Sequence, residues 1–439
     1  MIERLFAVRA HGSTVRREIA AGVTTFLTMA YIVVVNPAIL SQAGMPIAAV
    51  AAATCLSAAF ASILMGLFAN VPIALAPGMG LNAYFTFTVV NGMGVPWETA
   101  LGCVFLSGAV FLLLTLAGVR QLILAAIPRP LIAGTAAGIG LFIAFIGLKE
   151  AGIIAANPVT FVALGDLSKP EALLAIAGLA VIAGLQAWRA PGAILIGIVA
   201  AALGAGALGL IHEPAGGFAA PDLSATFLKA DIPAALNLGG GLGVALIEII
   251  FVFLFVDIFD NVGTLAAVTK QAGLVAPDGS IPRLKKMLLT DSVAAMFGAA
   301  VGTTTVTSYI ESAAGVSAGG RTGLTSVVVG LLFLLALVFT PLVQALPTAV
   351  AAPALVLVGA LMMKHLGDVA WDDAGAAIPA FLTLITIPLT FSIANGLAFG
   401  VIAYAALKLI SGKLAWRSDW LLLVLAALFI ARFAYLAAA

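Results

Sequence analysis

Long apolar stretches separated by short polar segments follow one another along almost the whole chain. Leu101–Ala117 and Leu324–Phe339, for example, contain no charged residue. Because about 20 apolar helical residues cross the hydrocarbon core of a bilayer, this pattern predicts an all-α polytopic membrane protein. The same length rule predicts about fourteen spans, over residues 18–40, 48–69, 72–90, 98–118, 129–149, 171–188, 191–211, 240–269, 285–302, 303–319, 322–341, 348–364, 376–391 and 394–411. For a further apolar stretch, 420–437, the sequence leaves open whether it crosses.

Composition supports this class and excludes others. Of 439 residues, 63% are hydrophobic and 9% are charged, whereas soluble domains contain about 25% charged residues. The net charge of +1 provides no basic surface for nucleic acid. Cys55 and Cys103 lie in apolar runs and are predicted to be unpaired. The three histidines lie outside the predicted spans, so neither a histidine metal site nor a cofactor is expected.

The charges between the spans indicate the orientation of the chain. Residues 1–17 contain four arginines, lack the apolar core of a signal peptide, and are predicted to form a cytosolic leader. The long loop 212–239, on the opposite side, contains three acidic residues and one lysine. The positive-inside rule therefore predicts a cytoplasmic N-terminus. The expected location is the inner membrane of the cell.

Weak internal similarity links the two halves of the chain. Val35-Asn36-Pro37 in the first span resembles Asp260-Asn261-Val262 in the eighth, and residues 192–197 resemble 396–400. Because seven spans are an odd number, a second set of seven enters the membrane from the opposite side. The sequence thus predicts two inverted seven-span repeats, which is an architecture of secondary transporters.

The third and tenth spans, which correspond in the two repeats, both contain helix-breaking sequence. Residues 71–85 include two prolines and two glycines within ten residues, and residues 303–307 are all β-branched. A short extended stretch is therefore predicted to break each span, with half-helices from about Gly78 and about Ser308. Interrupted spans at matching positions predict a substrate site at mid-membrane.

Acidic residues inside two spans are the strongest chemical signal. Asp257, Asp260 and Glu311 lie in the eighth and tenth spans without a Lys or Arg at matching depth, and an Asp there costs about 2.5–3.5 kcal/mol on insertion scales. Burial and mutual repulsion favour a protonated form of at least one of them, which suits proton coupling. Structural pairing is the alternative. For Glu248, a carboxylate at the membrane boundary and a functional group are both open.

The break in the third span supplies neutral candidates. Gly80, Leu81 and Asn82 are predicted to contact substrate there, with simple capping as the alternative for Asn82. Asn36 is predicted to satisfy backbone groups freed by Pro37. By contrast, Asp291 is predicted to be a charge at the N-terminus of the ninth span and not a site residue.

Several segments together resemble the nucleobase–cation symporters, specifically the azaguanine-resistance-like branch of purine permeases. These segments are Glu18–Phe26, Met29-Ala30-Tyr31, Asn36-Pro37, Ala76–Phe85, Phe259–Leu265 and Thr305–Val316. The resemblance covers almost the whole chain and implies fourteen spans in two inverted repeats. It also implies a core domain and a gate domain that alternate access. The core would comprise 18–119 and 237–341, and the gate 120–236 and 342–439.

The resemblance further implies what the protein does. Substrate would bind between the domains at Asn82, Asp257, Asp260 and Glu311, and the three acids would couple import of adenine, guanine or hypoxanthine to protons. Members of the family often dimerise through their gate domains. Which purine is preferred, and whether Na⁺ replaces H⁺, stay open.

Three other functions compete with this one. A transporter of another nucleobase, xanthine or uracil, differs only in pocket chemistry. An anion transporter or channel on the same fold is disfavoured by three carboxylates, because an anion site favours cations and helix N-termini. A membrane-embedded enzyme is disfavoured because no span contains a histidine to serve as the base for a Ser or Cys nucleophile.

Overall fold

The computed structural model describes residues 2–118, 128–211, 222–237, 243–276 and 280–438. Parts of the predicted loop 212–239, and residues 240–242 at the predicted start of the eighth span, lie outside the described residues.

The elements of the first half are short helices, long apolar helices and three short strands. In chain order they are α1 (Ile2–Phe6), α2 (Val15–Met29), α3 (Ile32–Leu40), α4 (Ile47–Leu64), β1 (Leu75–Pro77), α5 (Met79–Ala83), α6 (Trp97–Ala117), α7 (Arg129–Glu150), β2 (Ile154–Asn157), β3 (Phe161–Leu164), α8 (Pro170–Ala187) and α9 (Ala193–Ala207). A 3₁₀ turn, Ser41–Ala43, and two π-helical segments, Met65–Ala69 and Tyr84–Gly92, extend α3, α4 and α5.

The second half consists of helices and one short strand. Its elements are α10 (Ile232–Ala235), α11 (Gly243–Gln271), α12 (Leu284–Val301), β4 (Val306–Ser308), α13 (Ser312–Ser317), α14 (Gly323–Ala336), α15 (Thr340–Val343), α16 (Thr348–Met362), α17 (Ala374–Thr390), α18 (Ile393–Ile410) and α19 (Trp416–Ala438), with 3₁₀ turns at Leu337–Phe339 and Met363–Asp368.

Each predicted span coincides with a helix or, in the third and tenth spans, with a strand followed by a helix. Within the described ranges, eight helices are long and apolar enough to cross a membrane. Two further apolar helices, Ala193–Ala207 and Ala374–Thr390, are shorter. The protein is therefore a multi-pass membrane protein, and the number of fourteen crossings stays a prediction.

The structure differs from the sequence-based expectation at two places in the first half. The first span is interrupted between α2 and α3, where the N–H groups of Val33 and Val34 bond three residues back at 3.1 and 3.0 Å in a tightened turn. Pro37 lies within α3 and provides no N–H for the carbonyl one turn earlier. Strands β2 and β3 form an antiparallel hairpin between α7 and α8 that was not predicted.

The chain divides into two compact units. The first comprises Met1–Leu116 and Gly147–Leu355, and the second comprises Ala117–Ile146 and Val356–Ala439. In the first unit α14 packs against α4 and α2, and α13 packs against α2. In the second unit α17 packs against α18, and α18 packs against α19.

Small residues bring the helices close together in both units. A Cβ added at Gly330 of α14 would lie 2.8 Å from the carbonyl oxygen of Ala59 on α4, and one at Gly134 of α7 would lie 2.7 Å from that of Ala380 on α17. Membrane helices associate through such close contacts because lipid supplies no hydrophobic driving force between them. The division into core and gate domains stays a prediction.

Candidate functional site

The two interrupted spans meet as a pair of antiparallel strands. Leu75 lies opposite Ser308, and Pro77 lies opposite Val306. The pairing continues beyond the strands, because the Gly78 N–H donates to the Thr305 carbonyl at 2.9 Å. The prediction of short extended stretches in spans three and ten is thus confirmed. They bring two half-helices, α5 and α13, to one place in the first unit.

Serine side chains satisfy backbone groups that the broken helices leave without a partner. The Ser62 hydroxyl accepts from the Leu75 N–H at 3.0 Å and lies 3.1 Å from the Leu75 carbonyl. Ser326 donates toward the carbonyls of Val71 and Ile73 at 2.7 and 2.9 Å. Irregular backbone at membrane depth requires such partners, since lipid offers none. The breaks are therefore stably built into the fold.

The second half-helix begins later than predicted. Helix α13 starts at Ser312, whereas the sequence suggested a start near Ser308. Residue 308 is the last residue of β4, and the hydroxyl of Ser312 accepts from the Ala74 N–H at 3.0 Å, which ties the helix start to the strand pair. Glu311 consequently precedes the helix and does not lie within it.

Asn82, on α5, lies in a buried network of polar side chains. Its amide donates to Asn36 Oδ1 at 2.5 Å, and its carbonyl oxygen accepts from the Thr304 hydroxyl. Asn36 in turn donates to Thr54 at 2.7 Å and to Thr303 at 2.9 Å. All five residues are fully buried. Asn36 thus joins four spans through its side chain, beyond the role near Pro37 that the sequence suggested.

The neighbours of Asn82 on α5 differ in exposure. Leu81 is buried, and Gly80 is partly accessible. Of the three predicted contact residues on this half-helix, Gly80 is the one that is partly accessible, and its contact with substrate stays a prediction.

A second buried network surrounds Asp257. Asn261, one turn along α11, donates to Asp257 Oδ1 at 3.0 Å and accepts from the Ser308 N–H at 3.1 Å. The Ser308 hydroxyl lies 3.3 Å from Asp291 Oδ1. Asp257 and Asp291 are 2% and 0% exposed, so these two carboxyl groups are sealed from solvent.

The expectation for Asp291 is therefore wrong. Asp291 is the eighth residue of α12, which begins at Leu284, and it does not lie in the first turn. Its side chain faces β4 and shares the network of Asp257. The predicted start of this span, residue 285, agrees with the structure, so Asp291 lies two turns inside the helix, and its contact with Ser308 of the tenth span could not be read from the local sequence.

Asp260 and Glu311 are the acids that solvent reaches. Asp260 is exposed and Glu311 is partly exposed. The two carboxylates interact electrostatically, and α11 packs against α13. Tyr31 donates to Glu311 Oε1 at 2.7 Å. Among the described residues, the ion pairs are Lys149–Glu150 and Lys408–Asp419, so neither acid is paired with a cation there.

The predicted residues differ in exposure. Asp260, Glu311 and Gly80, which are at least partly exposed, are called the accessible layer, and Asp257 and Asn82, which are buried, are called the sealed layer. Tyr31 and Asn261 lie in the segments that carry the family resemblance, but the sequence assigns them no role. In the structure Tyr31 donates to Glu311 and Asn261 donates to Asp257. Glu248 is partly buried on α11, nine residues before Asp257. Within the described ranges, no group of three or more His, Cys, Asp or Glu residues is placed to hold a metal ion.

Comparison with known proteins identifies the family. The sequence model of the Permease family, Xan_ur_permease, matches residues 16–414. The chain belongs to this family. Adenine permease AdeP of Escherichia coli (strain K12) is 47% identical over 436 residues, which are 99% of this chain and 96% of AdeP. Guanine/hypoxanthine permease PbuO of Bacillus subtilis (strain 168) is 43% identical over 417 residues, 94% of this chain and 95% of PbuO.

Solved structures support the fold. The transmembrane domain of a cyanobacterium bicarbonate transporter, BicA, superposes with a TM-score of 0.65 over 87% of this chain and 97% of that domain, at 16% identity. The resemblance found in the sequence and the transporter fold are thereby confirmed. The relatives are permeases and not enzymes, as the sequence predicted.

Proposed function

We propose that this permease imports purine nucleobases, adenine, guanine or hypoxanthine, by proton symport. The observation that carries the proposal is the pair of accessible carboxylates, Asp260 and Glu311, at the meeting point of two broken spans. An ionised carboxylate acts only as a hydrogen-bond acceptor, and purine bases present N–H donors that it can bind. The adenine and guanine/hypoxanthine permeases among the relatives support this substrate class.

Proton coupling follows from the cost of charge at mid-membrane. Two unneutralised carboxylates close together repel each other, so one of them holds a proton when no substrate is bound. Substrate N–H groups favour the ionised form of the carboxylate that they contact. A proton retained on the other carboxylate then strengthens substrate binding, and the substrate strengthens retention of that proton.

The wider organisation belongs to the same proposal. The core, 18–119 and 237–341, moves against the gate, 120–236 and 342–439, to alternate access. The arginine-rich segment 1–17 supports a cytoplasmic N-terminus by the positive-inside rule, and the proposed location is the inner membrane of the cell. The proposal also includes a homodimer formed through the gate domains.

A second candidate, an anion transporter or channel, is favoured by the fold shared with BicA. The accessible layer argues against anion transport, because Asp260 and Glu311 repel anions. The ion pairs among the described residues supply no cation there. Xanthine or uracil transport uses the same carboxylate chemistry and differs in the preferred base.

Uptake by purified protein in proteoliposomes tests the proposal. Labelled adenine, guanine, hypoxanthine, xanthine, uracil and bicarbonate are supplied with an inward proton gradient, with the gradient collapsed by an uncoupler, and with Na⁺ replaced by choline. Accumulation of one purine above equilibrium that requires the proton gradient is expected. Accumulation that persists with the uncoupler and follows Na⁺ contradicts proton symport, and uptake of uracil or bicarbonate above every purine contradicts the substrate class.

A further inference from the structure

Tyr31 lies at the interruption of the first span, between the end of α2 and the start of α3. The side chain is 1% exposed, so it makes no contact with a substrate in the accessible layer. Its hydroxyl nevertheless contacts the accessible layer, because it donates to Glu311 Oε1 at 2.7 Å. This contact joins residues far apart in sequence, one from the first span and one from the tenth.

The strength of this hydrogen bond depends on whether Glu311 is ionised or protonated. Hydrogen bonds from O–H donors to an ionised carboxylate are about twice as strong as those to a neutral acceptor. The Tyr31 bond therefore stabilises the ionised carboxylate more than the protonated one. A phenylalanine at this position would keep the ring packed and remove that preference.

Few other titratable groups face Glu311. Tyr309, at the end of β4, and Asp260, on α11, interact with it electrostatically, and Tyr31 is the third. The Tyr309 hydroxyl donates to the Pro77 carbonyl at 2.5 Å, so its hydrogen bond goes to a group that does not titrate. Asp260 is an acceptor when ionised and opposes charge on Glu311. Tyr31 is thus the side chain whose hydrogen bond favours the ionised carboxylate.

The same contact connects the site to the packing of the first span. Glu311 immediately precedes α13, and α13 packs against α2. Gly315 makes this approach possible, since a Cβ there would lie 2.7 Å from the Ala21 carbonyl oxygen of α2. Tyr31 lies just beyond the end of α2, so the hydrogen bond and the helix contact both link α13 to the first span.

We propose that Tyr31 is a positioning residue for transport, which holds Glu311 in place and favours its ionised form so that the proton is released after import. The inference rests on the proposed proton symport. It adds that a residue outside the accessible layer, at the interruption of the first span, tunes the coupling group.

Transport by Tyr31→Phe tests this role through its pH dependence. Without the hydroxyl the protonated carboxyl is favoured, so the pH at which uptake falls by half on the alkaline side moves up by about one to two units, the size of one charge-assisted hydrogen bond. Slower proton release lowers the maximal rate by about tenfold. The KM for the purine changes little, because Tyr31 does not touch substrate.

Tyr309→Phe is the matched control. It removes a buried tyrosine hydroxyl from the same region, but that hydroxyl is bonded to a backbone carbonyl. We expect lower thermal stability and an unchanged pH midpoint. Equal shifts in the two variants, or no shift in Tyr31→Phe, would show that Tyr31 only fills space.

A titration that does not depend on transport separates this inference from the proposed function. Infrared difference spectra of the purified protein, with Glu311→Gln as reference, report the carboxylic acid band of Glu311 as pH rises. Its midpoint is expected at higher pH in Tyr31→Phe than in wild type. If this midpoint moves while uptake proves independent of the proton gradient, the contact is real and symport is wrong. An unmoved midpoint overturns the role of Tyr31 itself.

Discussion

Four acids, two on α11, one on α12 and one just before α13, differ in exposure. Asp260 is exposed and Glu311 is partly exposed, whereas Asp257 and Asp291 are sealed behind Asn261 and Ser308. A carboxylate that exchanges protons and binds substrate must be accessible both to solvent and to the substrate. The accessible pair is therefore expected to carry coupling, and the sealed pair to hold the strands and α11 together.

Charge removal at the accessible pair should abolish accumulation. Asp260→Asn and Glu311→Gln keep the shape of each side chain but remove its exchangeable proton and its charge. We expect each variant to reach the membrane at normal levels and to lose uptake against a gradient. Labelled purine uptake in energised vesicles measures this. Wild-type accumulation by both variants would assign these residues a structural role.

Substitution of Asn82 should affect stability as well as binding. Asn82→Ala leaves Asn36 and Thr304 with unpaired polar groups in a buried network, which costs about 1–3 kcal/mol. A lower melting temperature in detergent is therefore expected, together with weaker purine binding by calorimetry because α5 is no longer held in place. Weaker binding at an unchanged melting temperature would instead indicate direct contact between Asn82 and substrate.

At the scale of elements, the two broken spans were predictable and their partners were not. Prolines and glycines in residues 71–85 and β-branched residues in 303–307 encode the breaks locally, so the sequence reveals them. The pairing of β1 with β4 depends on contacts across more than two hundred residues. The same holds for Asp291, whose partner Ser308 lies in the next span, and for Tyr31, whose partner Glu311 lies in the other half of the chain.

Two asparagines at similar sequence positions in the two halves of the chain organise the buried networks. Asn36 and Asn261, which occupy similar positions in the two repeats, both donate to a side chain and both connect to the tenth span. They do so differently, because Asn36 bonds neutral threonines and Asn261 bonds a carboxylate.

Close contact between α13 and α2 is expected to be essential. In Gly315→Ala the new methyl group meets Thr25 and, at 2.7 Å, the Ala21 carbonyl oxygen, so the helices must separate. Such overpacking costs about 1–3 kcal/mol, and we expect a lower melting temperature and loss of uptake. Gly184→Ala, in α8, is the control, because a Cβ there meets nothing within 4 Å and Ala favours a helix by up to about 1 kcal/mol. Equal stability of the two variants would contradict the packing argument.

At the scale of the whole molecule, the path of α19 decides the topology that the sequence left open. Asp419, near the start of α19, pairs with Lys408 near the end of α18 at 2.7 Å. Arg432, near the end of α19, donates to Asn395 near the start of α18 at 3.0 Å. The two contacts are thirteen residues apart on each helix, about 20 Å along each axis. Helix α19 therefore runs antiparallel to α18 over nearly its full length.

If α18 crosses the membrane as the fourteenth span, α19 must cross back as a fifteenth. We expect Ala434, near the end of α19, to lie on the outer face, and Lys413, between the helices, to lie in the cytosol. Cysteines placed singly at these two positions can be labelled with a membrane-impermeant maleimide in intact cells and in inside-out vesicles. Both native cysteines are fully buried, so background labelling is low. Labelling of Ala434→Cys from outside and of Lys413→Cys only in inside-out vesicles is expected. Labelling of both from the same side would mean that α18 and α19 do not cross the membrane as an antiparallel pair.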